Sequence, residues 1–457
     1  MFHRFTLKNG IQVVSEPMEN RRTVAMGVFV KVGSRNETKA DNGISHLMEH
    51  MLFKGTTHHT AKEIADITAR MGDDMNAFTS KECTALYGMT ITENLREMAM
   101  LMGEMLTHSV FDAKELAKEK RVVMDEIDMY EDSAEDLVHE LLQKRIWRDS
   151  ALGFQISGNK SVVRGFHKAQ LEAFHREHYF AENLLISVAG GYDEEKLLGW
   201  LAEAFSGMRK RAGGPQIVAD SIKAGMGSAL ALEPYHKQYK TKQETAGGKS
   251  VDSPEYYRSF ATADKDIEQL HMNLAFPALT VGDERRFAYS VFNSAFGGSN
   301  NSWLFQKIRE DAGLAYSVYS YSSAYERAGL FHIDITMQPA LGVPVLEKVI
   351  GVARDFACIG LKEEELAMHK QQVRTELIMN SESPKNRMDA NAKYALAGTP
   401  LYTVEEKLAK IDAITCEDIR MLAREIMDLS QCSMCVVGDK SCMDLRGIKK
   451  KWEQLCN

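Results

Sequence analysis

At 457 residues the chain is too long for one ordinary hydrophobic core, so two domains are expected. Its 44% hydrophobic and 26% charged residues describe a soluble globular protein, and a formal net charge of -8 argues against a nucleic-acid binder unless a basic face is localised. No segment reaches the roughly 18 uninterrupted apolar residues of a membrane span, and residues 1–10 hold no apolar run of signal-peptide length. A cytoplasmic location is therefore the expectation. Seven cysteines is an odd count, which favours free thiols over a disulfide framework. Cys432-x-x-Cys435, with Cys442 and Cys456 beyond, has metal-like spacing, but Cys432 to Asp439 reads as a buried strand entering a turn. Cysteine there acts as a small hydrophobe.

In chain order, residues 5–7 and 11–15 pattern as a hairpin closed at Asn9-Gly10. Val24 to Val32 is a strand, and Gly33 to Glu37 turns it toward a helix over Asn42 to Phe53. Asp41 or Asn42 is placed to cap that helix, and Lys54-Gly55 to end it. Ile44, Leu47, Met48, Met51 and Leu52 fall at i, i+3, i+4, i+7 and i+8, so one broad face is buried. His46, Glu49 and His50 cluster on the other side, next to Phe53. A helix this apolar should not carry three ionisable groups unless something satisfies them. Two imidazoles one turn apart bind one metal ion, and the carboxylate between them reaches a water on it. The bland alternative is a chance H-x-x-E-H string.

Thr60 caps a helix through Arg70; Met75 to Ser80 and Cys83 to Thr92 follow as extended segments, then a helix from Glu93 to Leu106. Asp112 opens a further helix to about Tyr130, in which Leu116, Glu119, Val123, Glu126 and Tyr130 share a stripe. Two carboxylates thus lie on its packing face about two turns apart, while Asp125 and Asp128 point to solvent. Taken alone, Glu119 and Glu126 could equally face water or pair with Lys or Arg. Beside the His-bearing helix, a buried Glu is the natural third protein ligand, and a second can hold a ligand or water from outside.

Leu184 to Gly191 is a strand meeting a turn, followed by a helix from Asp193. Residues 209–263 turn linker-like, with Gly213-Gly214-Pro215 and Ala246 to Ser250. This gives an N-terminal domain over 1–208, a linker or insertion over 209–263 and a C-terminal domain over 264–457. The second half echoes the first: His271 to Phe276 is a strand, a helix runs through Phe296, and Ser433 to Gly438 matches Ser187 to Gly190. It holds no H-x-x-E-H, so one metal per chain is expected. Gly297 to Ser302 lacks the lysine and Ser/Thr of a phosphate loop and reads as a turn before a helix bearing Arg309 at the surface.

His46-Leu47-Met48-Glu49-His50 followed by Glu126 resembles the inverzincin signature of the pitrilysin family of zinc metallopeptidases. The 75 intervening residues, 51 to 125, are similar to the spacing of its mitochondrial-processing-peptidase branch. The stretches Glu49 to Thr56, Asn76 to Thr79 and Val122 to Ile127 fit as well. The family's auxiliary glutamate, seven residues before the ligand glutamate, matches Glu119. A glycine-rich loop and an Arg-plus-Tyr pair seven apart, lining the family's substrate chamber, match Gly297 to Ser302, Arg309 and Tyr316. Trp303 departs from the arginine usual there, and the linker is longer than the family's. The resemblance covers nearly the whole chain apart from that linker.

The expected fold is α+β, two homologous domains that each form a mainly antiparallel sheet with helices packed on one face. The resemblance implies a zinc endopeptidase acting on peptides inside a chamber formed when chains pair. His46, His50 and Glu126 would be ligands, Glu49 the general base and Glu119 the residue orienting the site. By ligand type the set suits Zn2+, with cobalt or manganese also compatible. Substrate would add as a strand along Asn76, Ala77 and Phe78, contacted by Arg309 and Tyr316. A homodimer is expected, because the family sets its Arg-plus-Tyr pair opposite a zinc of another subunit or half-chain. The alternative is a non-catalytic scaffold or partner subunit of a processing complex.

Overall fold

The computed structural model describes residues 2–211, 230–232 and 254–456, so most of the expected 209–263 linker lies outside the described residues. The chain divides into two compact units, each assembled from three stretches. Residues 1–127, 154–251 and 380–403 form the first, and residues 128–153, 252–379 and 404–457 the second. Both are α+β.

The first unit is built on a seven-stranded sheet ordered β4-β5-β3-β6-β2-β1-β7. Its strands are β1 (His3–Leu7), β2 (Gln12–Pro17), β3 (Thr23–Val30), β4 (Met75–Thr79), β5 (Thr84–Ile91), β6 (Leu184–Gly190) and β7 (Leu230–Leu232). Neighbours are antiparallel except β2 and β6, which run parallel. The β1–β2 hairpin closes at Asn9-Gly10 as expected, with Gly10 at φ +104°. β3 is apolar at nearly every position because both faces of the sheet are covered there. Val24, Met26, Val28 and Val30 pack into the main core with the helices of one face. Ala25 and Phe29 meet Met388 and Ala392 on the other face, from the helix Pro384–Leu396.

That helix was not foreseen on this sheet, since its sequence lies in the second half of the chain. Ser187 Oγ donates to the Met388 carbonyl at 2.8 Å, and buried Glu16 accepts from Asn391 Nδ2 at 2.7 Å and pairs with Arg387. Gly27 lets the helix approach, because a Cβ there would sit 2.7 Å from Met388 Sδ.

The second unit repeats the plan with five strands ordered β10-β11-β9-β12-β8. These are β8 (Phe260–Asp264), β9 (Leu270–Pro277), β10 (Ser317–Ala324), β11 (Gly329–Met337) and β12 (Ser433–Gly438), with β8 and β12 parallel and the rest antiparallel. Phe276, Phe331 and Ile333 face Phe292, Phe296 and Phe356 in the main core. On the opposite face Val138, Leu142 and Ile146 of the helix Ala134–Ile146 pack against Ala275, Cys435 and Val437. Each sheet therefore has helices mainly on one face, plus one on the other contributed by the opposite half of the sequence. All seven cysteines are free, and Cys435 is a buried strand residue as its neighbours suggested. Among the described residues no helix is long and apolar enough to cross a membrane.

Met388 is fully buried between helix and sheet. Met388→Ala should lower unfolding free energy by about 2–4 kcal/mol, the usual range for removing a buried methionine side chain. The shift of the urea midpoint at constant slope measures it.

Candidate metal centre

The His helix spans Ile44–Leu52, and Ile44, Leu47, Met48, Met51 and Leu52 are all buried, as their spacing predicts. Its start differs from the expectation. Neither Asp41 nor Asn42 caps it; Gly43 does, at φ +101°, where a Cβ would lie 2.9 Å from Gly158 Cα and from the Ser157 carbonyl. Only glycine combines that left-handed backbone with that contact. The open N–H groups are met by Glu37, whose carboxylate accepts from Gly43 N and Ser45 N at 2.8 Å and from Asn42 Nδ2 at 2.9 Å. Burial pushes the Glu37 carboxyl above its ordinary range, while those three donations pull it back. Nothing local in the sequence marks a residue seven positions before the helix as its cap. The far end behaves as expected, with Phe53 as C-cap and Gly55 at φ +107°.

His46 and His50 have ring centroids 4.7 Å apart at 81°. Both Nε2 atoms face Glu126 Oε2, at 3.6 Å from His46 and 3.5 Å from His50. One donor atom from each of the three residues lies within 4.8 Å of the other two, and among the described residues no other such His/Cys/Asp/Glu group forms. Ligands about 2.0–2.1 Å from a tetrahedral ion stand about 3.3–3.4 Å apart, so the arrangement fits zinc. Burial lowers the His46 pKa to about 4, with the neighbouring His50 adding to the effect, so its imidazole is neutral at pH 7 and has a lone pair to offer.

Glu126 comes from the Glu helix, Ala113–Asp132. Leu116, Glu119 and Val123 are buried there, and Asp125 and Asp128 are exposed, as expected. Tyr130 does not continue the stripe: it is 39% exposed, and Ile127 is buried instead. A repeat of 3.6 residues drifts away from a strict alternation of three and four, which leaves Glu126 at the margin of the packed face. Glu119 Oε2 lies 3.1 Å from His50 Nδ1, and its Oε1 pairs with Lys54 Nζ at 2.8 Å.

Glu49 projects from the same helix, and Thr79 Oγ1 donates to its Oε2 at 2.6 Å. Burial raises the Glu49 carboxyl above its ordinary range, with Thr79 and His50 pulling the other way. Thr79 ends β4, the edge strand that carries Asn76, Ala77 and Phe78. Sequence reasoning saw the strand but assigned Thr79 no part. Its only signal was the i, i+2 alternation that puts Thr79 on the same face as Ala77, toward the core.

Arg309 and Tyr316 belong to the second unit. Phe305–Glu310 winds as a π-helix, with the exposed Arg309 guanidinium 4.9 Å from the Phe305 ring centroid. Tyr316 is 52% exposed, and its hydroxyl accepts from Gln338 Nε2 at 3.3 Å. Trp303 packs edge-on against Phe356, with Lys307 Nζ 4.0 Å over its ring.

Residues 12–160 match the family model "Insulinase (Peptidase family M16)" and residues 165–373 match "Peptidase M16 inactive domain". The chain is 35% identical over 430 residues to an uncharacterized zinc protease of Bacillus subtilis, covering 93% of this chain and 96% of that one. The protein belongs to peptidase family M16. A second M16 relative, an uncharacterized zinc protease of Rickettsia felis, is 31% identical over 447 residues, covering 98% of this chain and 99% of its own. The fold is shared with a protease from Helicobacter pylori, at TM-score 0.82 and 20% identity over 96% of this chain and 99% of that one. An M16 inactive domain from Pseudomonas fluorescens superposes at TM-score 0.83 and 18% identity, covering 97% of this chain and 99% of its own. Zinc is the metal of the family. The stretch that matches the inactive-domain model, residues 165–373, holds no H-x-x-E-H motif.

His46→Ala, His50→Ala and Glu126→Ala should each lower the zinc content of purified protein, whereas Asp125→Ala and Asp128→Ala should leave it unchanged. Atomic absorption against protein concentration reads this directly. Retention of full zinc by Glu126→Ala would move the third ligand elsewhere.

Proposed function

We propose that the protein is a zinc-dependent endopeptidase in which His46, His50 and Glu126 hold the metal and Glu49 is the general base. The observation that carries this reading is the convergence of two imidazoles and a carboxylate beside a half-buried, hydrogen-bonded glutamate. Bound zinc supplies a Lewis acid that polarises the scissile carbonyl and makes water a nucleophile near neutral pH. Glu49 takes the proton of the attacking water and later delivers it to the leaving amine. Its burial-raised pKa suits a group that must both accept and return a proton. Thr79 fixes which carboxylate oxygen is free to act.

Substrate adds as one more strand on β4, along Asn76, Ala77 and Phe78, on the edge opposite β5, which among the described residues is the strand paired with β4. Such pairing reads backbone more than side chain, so peptides and unfolded or processing segments are the substrate class. Arg309 and Tyr316 donate hydrogen bonds to substrate backbone or to the developing oxyanion. We assign them to the zinc site of a second copy in a homodimer of the processing-peptidase type. The complete motif set weighs against a non-catalytic scaffold.

Glu49→Gln should keep its zinc and lose about 10²- to 10⁴-fold in turnover of a quenched peptide library. Cleavage at the wild-type rate would sink the assigned base. The shared site is tested by exchanging subunits of Glu49→Gln and Arg309→Ala homodimers at equal ratio. About half the dimers are then mixed, each with one intact and one doubly altered site, so activity should recover to about a quarter of wild type. A mixture verified as heterodimeric that stays at parental activity would exclude the shared arrangement.

A further inference from the structure

We infer that Lys54 is a positioning residue of the metal centre, acting through Glu119 on the His50 ring; this rests on the zinc-peptidase reading above. The two histidines are held unequally. Among the described residues His46 Nδ1 is buried with no hydrogen-bond partner, so no hydrogen bond at that nitrogen holds the ring, whose Nε2 faces Glu126 at 3.6 Å. His50 Nδ1 faces Glu119 Oε2 at 3.1 Å. A carboxylate there requires the proton on Nδ1 and leaves the Nε2 lone pair directed toward Glu126, 3.5 Å away. Orientation of the histidine pair by hydrogen bonding therefore passes through Glu119.

Glu119 cannot hold that position unaided. Its side chain is 7% exposed, and a buried carboxylate needs both hydrogen bonds and a compensating charge. One oxygen is taken by His50 and the other by Lys54 Nζ at 2.8 Å, which pins the carboxylate plane at two points. Lys54 follows the C-cap of the His helix, and its own N–H donates to the Met51 carbonyl at 3.2 Å. Nine residues, from His46 to Lys54, thus supply two ligands, the base and the ammonium that anchors a carboxylate from another helix. Gly55, at φ +107°, turns the chain directly after it. Removing the ammonium leaves Glu119 a buried carboxylate with one partner, free to rotate about its side-chain torsions and to release the His50 ring.

The test measures zinc affinity by competition with a chromophoric chelator, and the visible absorption of the cobalt-substituted protein, for wild type, Lys54→Met, Lys54→Arg, Glu119→Gln and the Lys54→Met/Glu119→Gln double variant. Partners one step outside a ligand typically govern 10- to 100-fold in metal affinity, so Lys54→Met should weaken zinc about tenfold and shift the cobalt bands. Lys54→Arg should recover most of both. The double variant should bind zinc no more weakly than Glu119→Gln, because the two act in series. Wild-type affinity and spectrum in Lys54→Met, or losses that multiply in the double variant, would overturn the assignment. So would a Lys54→Arg variant, folded by circular dichroism, that binds as poorly as Lys54→Met. His46→Ala and His50→Ala separate the two readings. Zinc that depends on both histidines but is indifferent to Lys54 defeats this inference alone; zinc indifferent to the histidines defeats the peptidase reading.

Discussion

The centre depends on one constraint: a short helix, buried on its apolar face, carries ionisable groups that water cannot fully serve. Most of these groups take partners from outside the helix, because an unsatisfied buried polar group costs roughly 1–3 kcal/mol and a charge more. Glu37 serves the N–H groups at the helix start, Thr79 serves Glu49, and Glu119 with Lys54 serves His50. Glu126 faces both Nε2 atoms from the Glu helix. Histidine spacing makes a metal site conceivable. The Glu119 and Thr79 contacts fix where the His50 ring and the Glu49 carboxylate point.

The two sheets meet a related constraint at larger scale. β3 and β6 are apolar on both sides, so the sheet they centre cannot leave a face in water. The chain answers with the helix Pro384–Leu396 on the first sheet and Ala134–Ile146 on the second, each drawn from the other half of the sequence. Polar groups set the seat of the first of these: Glu16 meets Arg387 and Asn391, and Ser187 meets the Met388 carbonyl. A helix held by specific hydrogen bonds at several points has one register on its sheet, where apolar contact alone would tolerate several.

What could be read from the residues followed the range of the interaction. His46, Glu49 and His50 are set by a one-turn spacing within a single helix, so their shared face is visible in the string itself. The strands of the first hairpin and the Thr60 cap, with its reciprocal Glu63, are equally local. Glu126 and Glu119 needed a stripe on a second helix and a resemblance to be paired with the histidines. Glu37, Thr79 and the Lys54–Glu119 contact were missed, because each joins elements with no periodic relation between them. The crossing helices were missed for the same reason: an amphipathic pattern says that a helix will bury one face, not against which sheet. Tyr130 fell outside its stripe because a drifting 3.6-residue period was read as a fixed alternation.

β4 shows how short-range and long-range demands combine at the centre. It pairs with β5 along all five of its residues, from Met75 opposite Gly88 to Thr79 opposite Thr84, and among the described residues no strand pairs with its other edge. Ala77 packs toward the core, and the Phe78 ring lies across the sheet from it, near Tyr87 at 5.9 Å and Phe29 at 6.4 Å. An unsupported edge strand frays, and fraying here would carry Thr79 away from Glu49. The five ladder partners and the ring contacts hold Thr79 in place while leaving the outer backbone edge available. In the proposed reading, the strand that would receive an extended peptide is thus the strand that holds Glu49 through Thr79. In the proposed reaction, the scissile bond and the proton acceptor are referred to the same five residues, and orientation of reacting groups is where a site of this kind gains much of its rate.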